Sequence, residues 1–265
     1  MAVYTDLVRY RELFANLFRR NFHAKYRGSV LGIAWSLVNP LALMGVYLLV
    51  FGLIMGNTTI PHYWLYLLAG IACWVFFSAS LQSGARSLID SAELVRKVRF
   101  PRQLVPFAVV ATQLVTFVVM LAILIVLSLV FIPDARPYVW LAVPLSALFV
   151  CLVAGLSLIV SCLNVVLRDV EHILTAALLP WFFLTPILWD PGHLPGHLQG
   201  HHKLFEVLRW GNFMSPPIFA IRDSLWVGRA PRLSDVVYLA VAGVVALAAG
   251  SFFFRRIDDR IAIEL

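Results

Sequence analysis

The chain has 265 residues, 61% of them hydrophobic and 13% charged, with a mean hydropathy of +0.87 and a formal net charge of +7. Those values exclude a water-soluble domain of this length and predict an all-α membrane protein, one integral domain over residues 1–265. The positive charge points to anionic lipid rather than nucleic acid, because no module interleaving aromatic and basic residues accompanies it.

In chain order, Leu7, Tyr10, Phe14, Leu17 and Phe18 recur at helical spacing beside Arg9, Arg11, Arg19 and Arg20. This predicts an N-terminal amphipathic helix lying in the inner headgroup layer; a cytoplasmic helix packed on a soluble partner would show the same pattern. Nothing at the N-terminus resembles a cleavable signal. Six apolar stretches follow: Ile33–Met55, Tyr63–Leu81, Leu104–Ile132, Val139–Leu163, His172–Trp189 and Val236–Phe254. A bilayer core of about 30 Å needs roughly 20 helical residues, so all six are expected to span, the fifth only just.

The spans are free of Asp and Glu; none occurs, for example, between Glu12 and Asp90 or between Glu93 and Asp134. Intramembrane carboxylates usually mark ion or proton paths, so the energy for any transport is expected to enter from outside the bilayer. Fifteen Lys and Arg fall on one side of the six-span topology and six on the other. By the positive-inside rule both termini are expected to be cytoplasmic.

Three connecting regions carry further information. Between the second and third spans, Asp90 or Ser91 is expected to cap a short helix, with Glu93 in its first turn, Arg96 and Lys97 near its end and Pro101 beyond. Such a helix suits a handle for a cytoplasmic protein, or a solvated positive-inside loop. The segment from Asp190 to Asp235 is too polar to span and too apolar for a linker. It predicts two short re-entrant outer helices separated by Ser215-Pro216-Pro217, forming a gate, a lid or a structural cap. His193, His197, His201 and His202 lie there too, but Pro195, Gly196 and Gly200 break the helix that would align them as metal ligands. The sequon Asn57-Thr58-Thr59 sits too close to the membrane to be used. Cys73, Cys151 and Cys162 fall within spans as packing residues.

The chain has no Gly-x-x-x-x-Gly-Lys loop to cradle ATP phosphates, no serine elbow and no His-Glu-x-x-His. An active transporter of this composition needs an ATPase on another chain. Several segments then resemble the polysaccharide-exporting type-2 ABC transporter permeases. These are Tyr26-Arg27-Gly28-Ser29-Val30-Leu31-Gly32 with Trp35 and Pro40, Leu94-Val95-Arg96-Lys97-Val98-Arg99-Phe100-Pro101, Asn164-Val165-Val166-Leu167-Arg168-Asp169-Val170 with Thr185-Pro186-Ile187-Leu188-Trp189, and the tail Phe254-Arg255-Arg256 through Ile263-Glu264. Ser215-Pro216 departs from the Asn-Pro expected of the family. The resemblance implies a homodimer with two copies of a cytoplasmic ATPase that binds ATP and Mg. The cargo would be a lipid-linked polysaccharide such as O-antigen, capsule-type glycan or teichoic acid, moved across a bacterial cytoplasmic membrane. It also implies that the N-terminal and loop helices bear on the ATPase, through Arg19, Arg20, Glu93, Arg96, Lys97 and Arg99.

A sliding sugar chain needs surfaces that stack on its apolar faces while making few directional bonds, and aromatic rings do this. Candidates are Trp35, Tyr47 and Phe51 in the first span, Trp74 and Phe77 in the second, and Trp181, Phe182 and Trp189 in the fifth. Each would serve equally as lipid-facing packing or as part of an interfacial belt, which is the expectation for Tyr63, Trp64 and Tyr66. Two rival functions stay open: a type-2 ABC exporter of small amphipathic drugs or lipids, and a membrane enzyme acting on polyprenyl-linked sugars. The enzyme would need catalytic groups at one membrane face. Only Arg168, Asp169, Glu171 and His172 cluster that way, and Arg168 with Asp169 reads more simply as a local ion pair.

Overall fold

The computed structural model describes residues 9–29, 32–54, 60–98, 100–190 and 202–264. These form ten α-helices and no strand: α1 (Arg11–Tyr26), α2 (Trp35–Tyr47), α3 (Tyr63–Asp90), α4 (Ala92–Lys97), α5 (Leu104–Phe131), α6 (Ala142–Val166), α7 (Val170–Leu184), α8 (His202–Gly211), α9 (Ser215–Arg222) and α10 (Leu233–Glu264). Wide π-helical turns extend α2 through Leu48–Ile54 and α9 through Asp223–Val227. Arg99, the sequon, His193, His197, His201 and the side chain of His202 lie outside the described residues. No metal-binding cluster occurs among the described ones.

Among the described residues five helices are long and apolar enough to cross a membrane: Trp35–Ile54, Tyr63–Asp90, Leu104–Phe131, Val139–Val166 and Leu233–Ile257. The expected fifth span is shorter as a helix, since α7 has 15 residues and a rise of about 22 Å. Its end follows from Pro186, which pushes Thr185 into an extended conformation (φ −85°, ψ 139°) and stops the helix. Topology nevertheless requires this segment to cross the bundle. Leu17 of α1, Leu88 of α3, Val165 of α6 and Phe254 of α10 share one buried cluster, so both terminal helices lie at the same pole. The chain leaves that pole at Val166 and starts back toward it at Leu233; α7 and the non-helical residues after it make the outward crossing.

That non-helical stretch buries backbone carbonyls that no helix satisfies, so side chains must supply the donors. Tyr63 Oη donates to the Leu188 carbonyl (2.7 Å) and Tyr66 Oη to that of Trp189 (2.6 Å). Arg222 supplies the rest: its guanidinium donates to the carbonyls of Pro186, Ile187 (3.0 Å) and Tyr66 (2.9 Å) and lies 3.5 Å from the Tyr66 ring centre. Arg222 is fully buried, and Gly70 makes room for it. A Cβ on Gly70 would stand 2.3 Å from Arg222 Nη2.

The outer segment forms two short helices as expected, but the prolines do not separate them. Pro216 and Pro217 open α9, where a missing N–H costs nothing. The break falls at Asn212, whose side chain accepts from Trp181 Nε1 (3.0 Å) and the Met214 N–H (3.1 Å) and donates to Thr185 Oγ1 (2.9 Å). Asn212 thereby ties the outer helices to the end of α7.

The most extensive helix contact joins α6 to α10. It is a small-residue seam: a Cβ on Gly155 would lie 2.3 Å from the Ala246 carbonyl carbon, and one on Gly250 would lie 2.6 Å from the Gly155 oxygen. In lipid, where helices gain little from hydrophobic exclusion, such backbone approach is a main source of packing energy. Gly155→Ala is expected to destabilise the protein by about 1–3 kcal/mol through overpacking. Thermal unfolding in detergent, with Gly45→Ala as a control in open space, checks this.

Candidate transport path and coupling face

Six of the eight candidate path aromatics form one chain of ring contacts. Phe51 meets Tyr47 (6.2 Å between centroids), Tyr47 stacks on Phe182 (5.4 Å, 25°), and Phe182 meets Trp74 (5.5 Å). Trp74 then meets Phe77 (5.4 Å), and Phe77 meets Trp181 (5.4 Å). The chain thus links α2, α3 and α7. It continues into the outer segment through Phe213, 4.7 Å from Trp181 and perpendicular to it. Phe213 was not among the sequence candidates, because an aromatic in a non-spanning segment carries no periodic signal that aims it at the bundle.

Burial divides the candidates. Trp74, Phe77 and Phe182 are buried inside the protomer, where they support the neighbouring rings. Tyr47, Phe51 and Trp181 are half-buried and keep part of a face open. Trp35 is 55% exposed and stands apart, near Tyr26 and Ser36 at the terminal pole. Trp189 also stands apart, packed on Phe205 (5.4 Å) with its indole N–H donating to the Phe183 carbonyl (3.1 Å).

The expected coupling residues share the terminal pole. Tyr10, just before α1, and Phe14 and Leu17 on it pack on the protein's own second core cluster, while Phe18 runs alongside Phe22 (5.7 Å) on the flank. Helical periodicity marks an apolar stripe but not what covers it. Arg19 and Arg20 face outward, and Arg20 Nη2 donates to Ser91 Oγ (2.9 Å), joining α1 to the start of α4. Neither Asp90 nor Ser91 makes the expected side-chain cap on α4, since the Ser91 hydroxyl is engaged by Arg20 instead. Val95 anchors α4 inward, and Glu93, Arg96 and Lys97 project into solvent, with an exposed Lys97–Glu93 contact of 3.4 Å. Arg168 and Asp169 form no ion pair. Glu171 meets Arg86 (3.1 Å) instead, and Asn164 bridges the Ala85 carbonyl (2.9 Å) to the Glu171 N–H (3.0 Å), fixing the α6–α7 turn to the end of α3.

At the opposite pole Asp235 is buried against Arg209 (2.9 Å), and Asp223 against Arg229 (2.7 Å). Burial pushes the Asp223 carboxyl above the usual carboxylate range, opposed by the hydrogen bond and charge of Arg229. Both carboxylates pair with arginines of the outer segment, and Asp223 Oδ2 is left buried without a partner among the described residues.

Residues 12–224, from α1 through the turn after α9, match the family model of the ABC-2 type transporters. The chain belongs to the ABC-2 type transporter family. It is 32% identical over 255 residues to the O-antigen export system permease protein RfbA of Myxococcus xanthus, covering 96% of each chain. Two proteins of the same name from Klebsiella pneumoniae are 26% and 27% identical, each over 95% of this chain and 94% of its own. As an ABC-2 transporter chain it is a multi-pass membrane protein and a transport subunit, with ATP hydrolysis carried out by a partner ATPase. That division of labour agrees with spanning helices whose carboxylates, Asp90 and Asp235, lie only in their end turns, and with an exposed charged helix at one pole.

Proposed function

We propose that this chain is the membrane-spanning subunit of a bacterial exporter of lipid-linked polysaccharide. It works as a homodimer with two cytoplasmic ATPase subunits that bind ATP and Mg. The observation that carries this reading is the end-to-end similarity to permeases named for O-antigen export. The ring chain from Phe51 to Phe213 supports it, offering apolar stacking faces without strong directional bonds. The lightly packed α2 supports the second copy: Trp35, Val38, Leu41, Val46, Leu49 and Leu53 are all exposed, a continuous apolar surface suited to a like surface. The excess of Lys and Arg at the terminal pole favours a cytoplasmic location for both termini in the inner membrane. Trp35, Tyr47, Phe51, Trp74, Phe77, Trp181, Phe182 and Trp189 form and support the path; Arg19, Arg20, Glu93, Arg96, Lys97 and Arg99 form the coupling face.

Co-expression with the cognate ATPase is the test. The two are expected to co-purify, the chain alone to turn over no ATP, and loss of the chain to abolish surface glycan while glycan accumulates inside the cell. Reversing Glu93 and Arg96 together is expected to weaken ATPase association by at least about fivefold, leaving membrane insertion intact because both residues lie outside the spans. A crosslinking map placing α4 far from the ATPase would remove the coupling assignment, and normal surface glycan in the deletion strain would remove the cargo.

A further inference from the structure

A cavity of about 540 Å³ opens at the terminal pole between the end of α1, the start of α2, α3 and α5. Its lining runs from Lys25 and Tyr26 at the end of α1 and Trp35 at the start of the first spanning helix to the middle turns of α3 and α5, so the cavity reaches from the terminal side into the apolar interior of the spans. Its rim is polar. Lys25 Nζ is drawn in by Gln113 Oε1 (2.7 Å) and Thr116 Oγ1 (3.3 Å) of the third span, and the hydroxyls of Tyr26 and Ser36 meet 2.5 Å apart beside it. The floor is apolar, formed by Ala72, Val75, Phe76 and Ala79 of α3 with Phe117 and Met120 of α5.

Three features define the ligand. Among the described residues Lys25 is the one charged residue lining the cavity and no Asp or Glu lines it, so the site holds a positive charge without a carboxylate beside it. A phosphate satisfies that charge and accepts from the neighbouring hydroxyls. The absent carboxylate also discriminates between headgroups, since the ammonium of an ethanolamine or choline headgroup would find no counter-charge. Finally, an acyl chain fits the floor, with Trp35 at the mouth in the position interfacial tryptophans favour.

The cavity is separate from the aromatic chain. At 100° per helical residue, Ala72, Val75, Phe76 and Ala79 lie on the face of α3 opposite Trp74 and Phe77. The site is therefore turned away from the continuous ring chain, and of the proposed path residues it shares only Trp35. We propose that it binds an anionic glycerophospholipid without an amine, of the phosphatidylglycerol class, with its phosphate on Lys25. This lipid bridges α1 to α2 and α5, and so holds the helix that carries Arg19 and Arg20 against the bundle. The proposal does not depend on which cargo the transporter moves.

The experiment uses the purified permease–ATPase complex. It is exchanged into nanodiscs of phosphatidylethanolamine alone, or with phosphatidylglycerol or a polyprenyl phosphate added, and the retained lipid is counted by native mass spectrometry. Wild type and Lys25→Arg are expected to retain phosphatidylglycerol. Lys25→Gln, which keeps the length and a hydrogen-bonding end, is expected to retain it about fivefold less. Ala79→Phe fills the floor without touching Lys25 and is expected to lose it too, which guards against a folding defect in the first variant. Retention of phosphatidylglycerol unchanged by either substitution overturns the site. Preferential retention of the polyprenyl phosphate overturns the bilayer-lipid assignment and gives the cavity to the carrier of the cargo. Equal retention of phosphatidylethanolamine overturns the headgroup argument.

Discussion

Arg222→Met is expected to lower the stability of the protein by about 3–5 kcal/mol, the largest effect of any single substitution considered. Methionine keeps most of the apolar bulk of the side chain and can donate nothing. The Ile187 carbonyl would then be buried without a partner, at about 1–3 kcal/mol, that of Pro186 would keep only the 3.3 Å contact from Tyr66 Oη, and the cation over the Tyr66 ring would be lost. Thermal unfolding of the detergent-purified chain reads the loss directly. Gly70→Ala supplies the complementary test. Its methyl enters the space of Nη2 and is expected to cost about 1–3 kcal/mol alone, but little in the Arg222→Met background, where the obstructing group is gone. Additive effects would show that the two residues do not share that space.

The second large effect concerns transport. Replacing Trp35, Tyr47 and Phe51 together with leucine is expected to reduce glycan export at least about tenfold while membrane insertion and ATPase association survive. Each flat face contributes about 0.5–1.5 kcal/mol beyond its area, and leucine retains the apolar area but not the face. All three lie on the lightly packed α2, and none of the described residues uses the Tyr47 hydroxyl in a hydrogen bond, so the substitution leaves no buried polar partner stranded. Trp181 and Trp189 are less suitable, because their indole N–H groups hold Asn212 and the Phe183 carbonyl. Quantifying surface glycan in a strain carrying the triple substitution decides it. Normal export would return these residues to lipid packing and leave the family assignment untouched.

The two predictions differ in how far the sequence alone could reach them. The long helices were legible because about 20 apolar residues without carboxylates admit few other structures, and the α4 handle was legible from Glu93, Arg96, Lys97 and Pro101. The end of α7 was less so. Pro186 argues for a stop there, yet the apolar run continues to Trp189, and hydropathy does not distinguish helix from extended chain. Arg222 entered the sequence reading only as one of six positive charges on the sparser side. Its place beneath α3 depends on Gly70, 152 positions earlier in the chain, and on carbonyls freed by a proline, neither of which has a local signature. The aromatic path fell between these cases. Residue type nominated the rings, but only the fold sorted Trp74, Phe77 and Phe182 into support and left Tyr47, Phe51 and Trp181 with open faces.

The glycine seam between α6 and α10 bears on how such a protein can move. Gly155 and Gly250 bring the two backbones into contact along the most extensive helix pairing in the protein, at positions where not even a methyl fits. These two helices form a fixed mast, and α10 carries it past the bundle as a helix about 48 Å long. The freedom needed to admit and release a long cargo must reside elsewhere. It falls to α2, which buries only Pro40, and to α7, which buries only Leu178 and Phe182 and ends in chain held by side chains rather than by its own backbone. The molecule then divides into a stator and two leaves, with Tyr47, Phe51, Trp181 and Phe182 on the leaves and Trp74 and Phe77 on α3 between them.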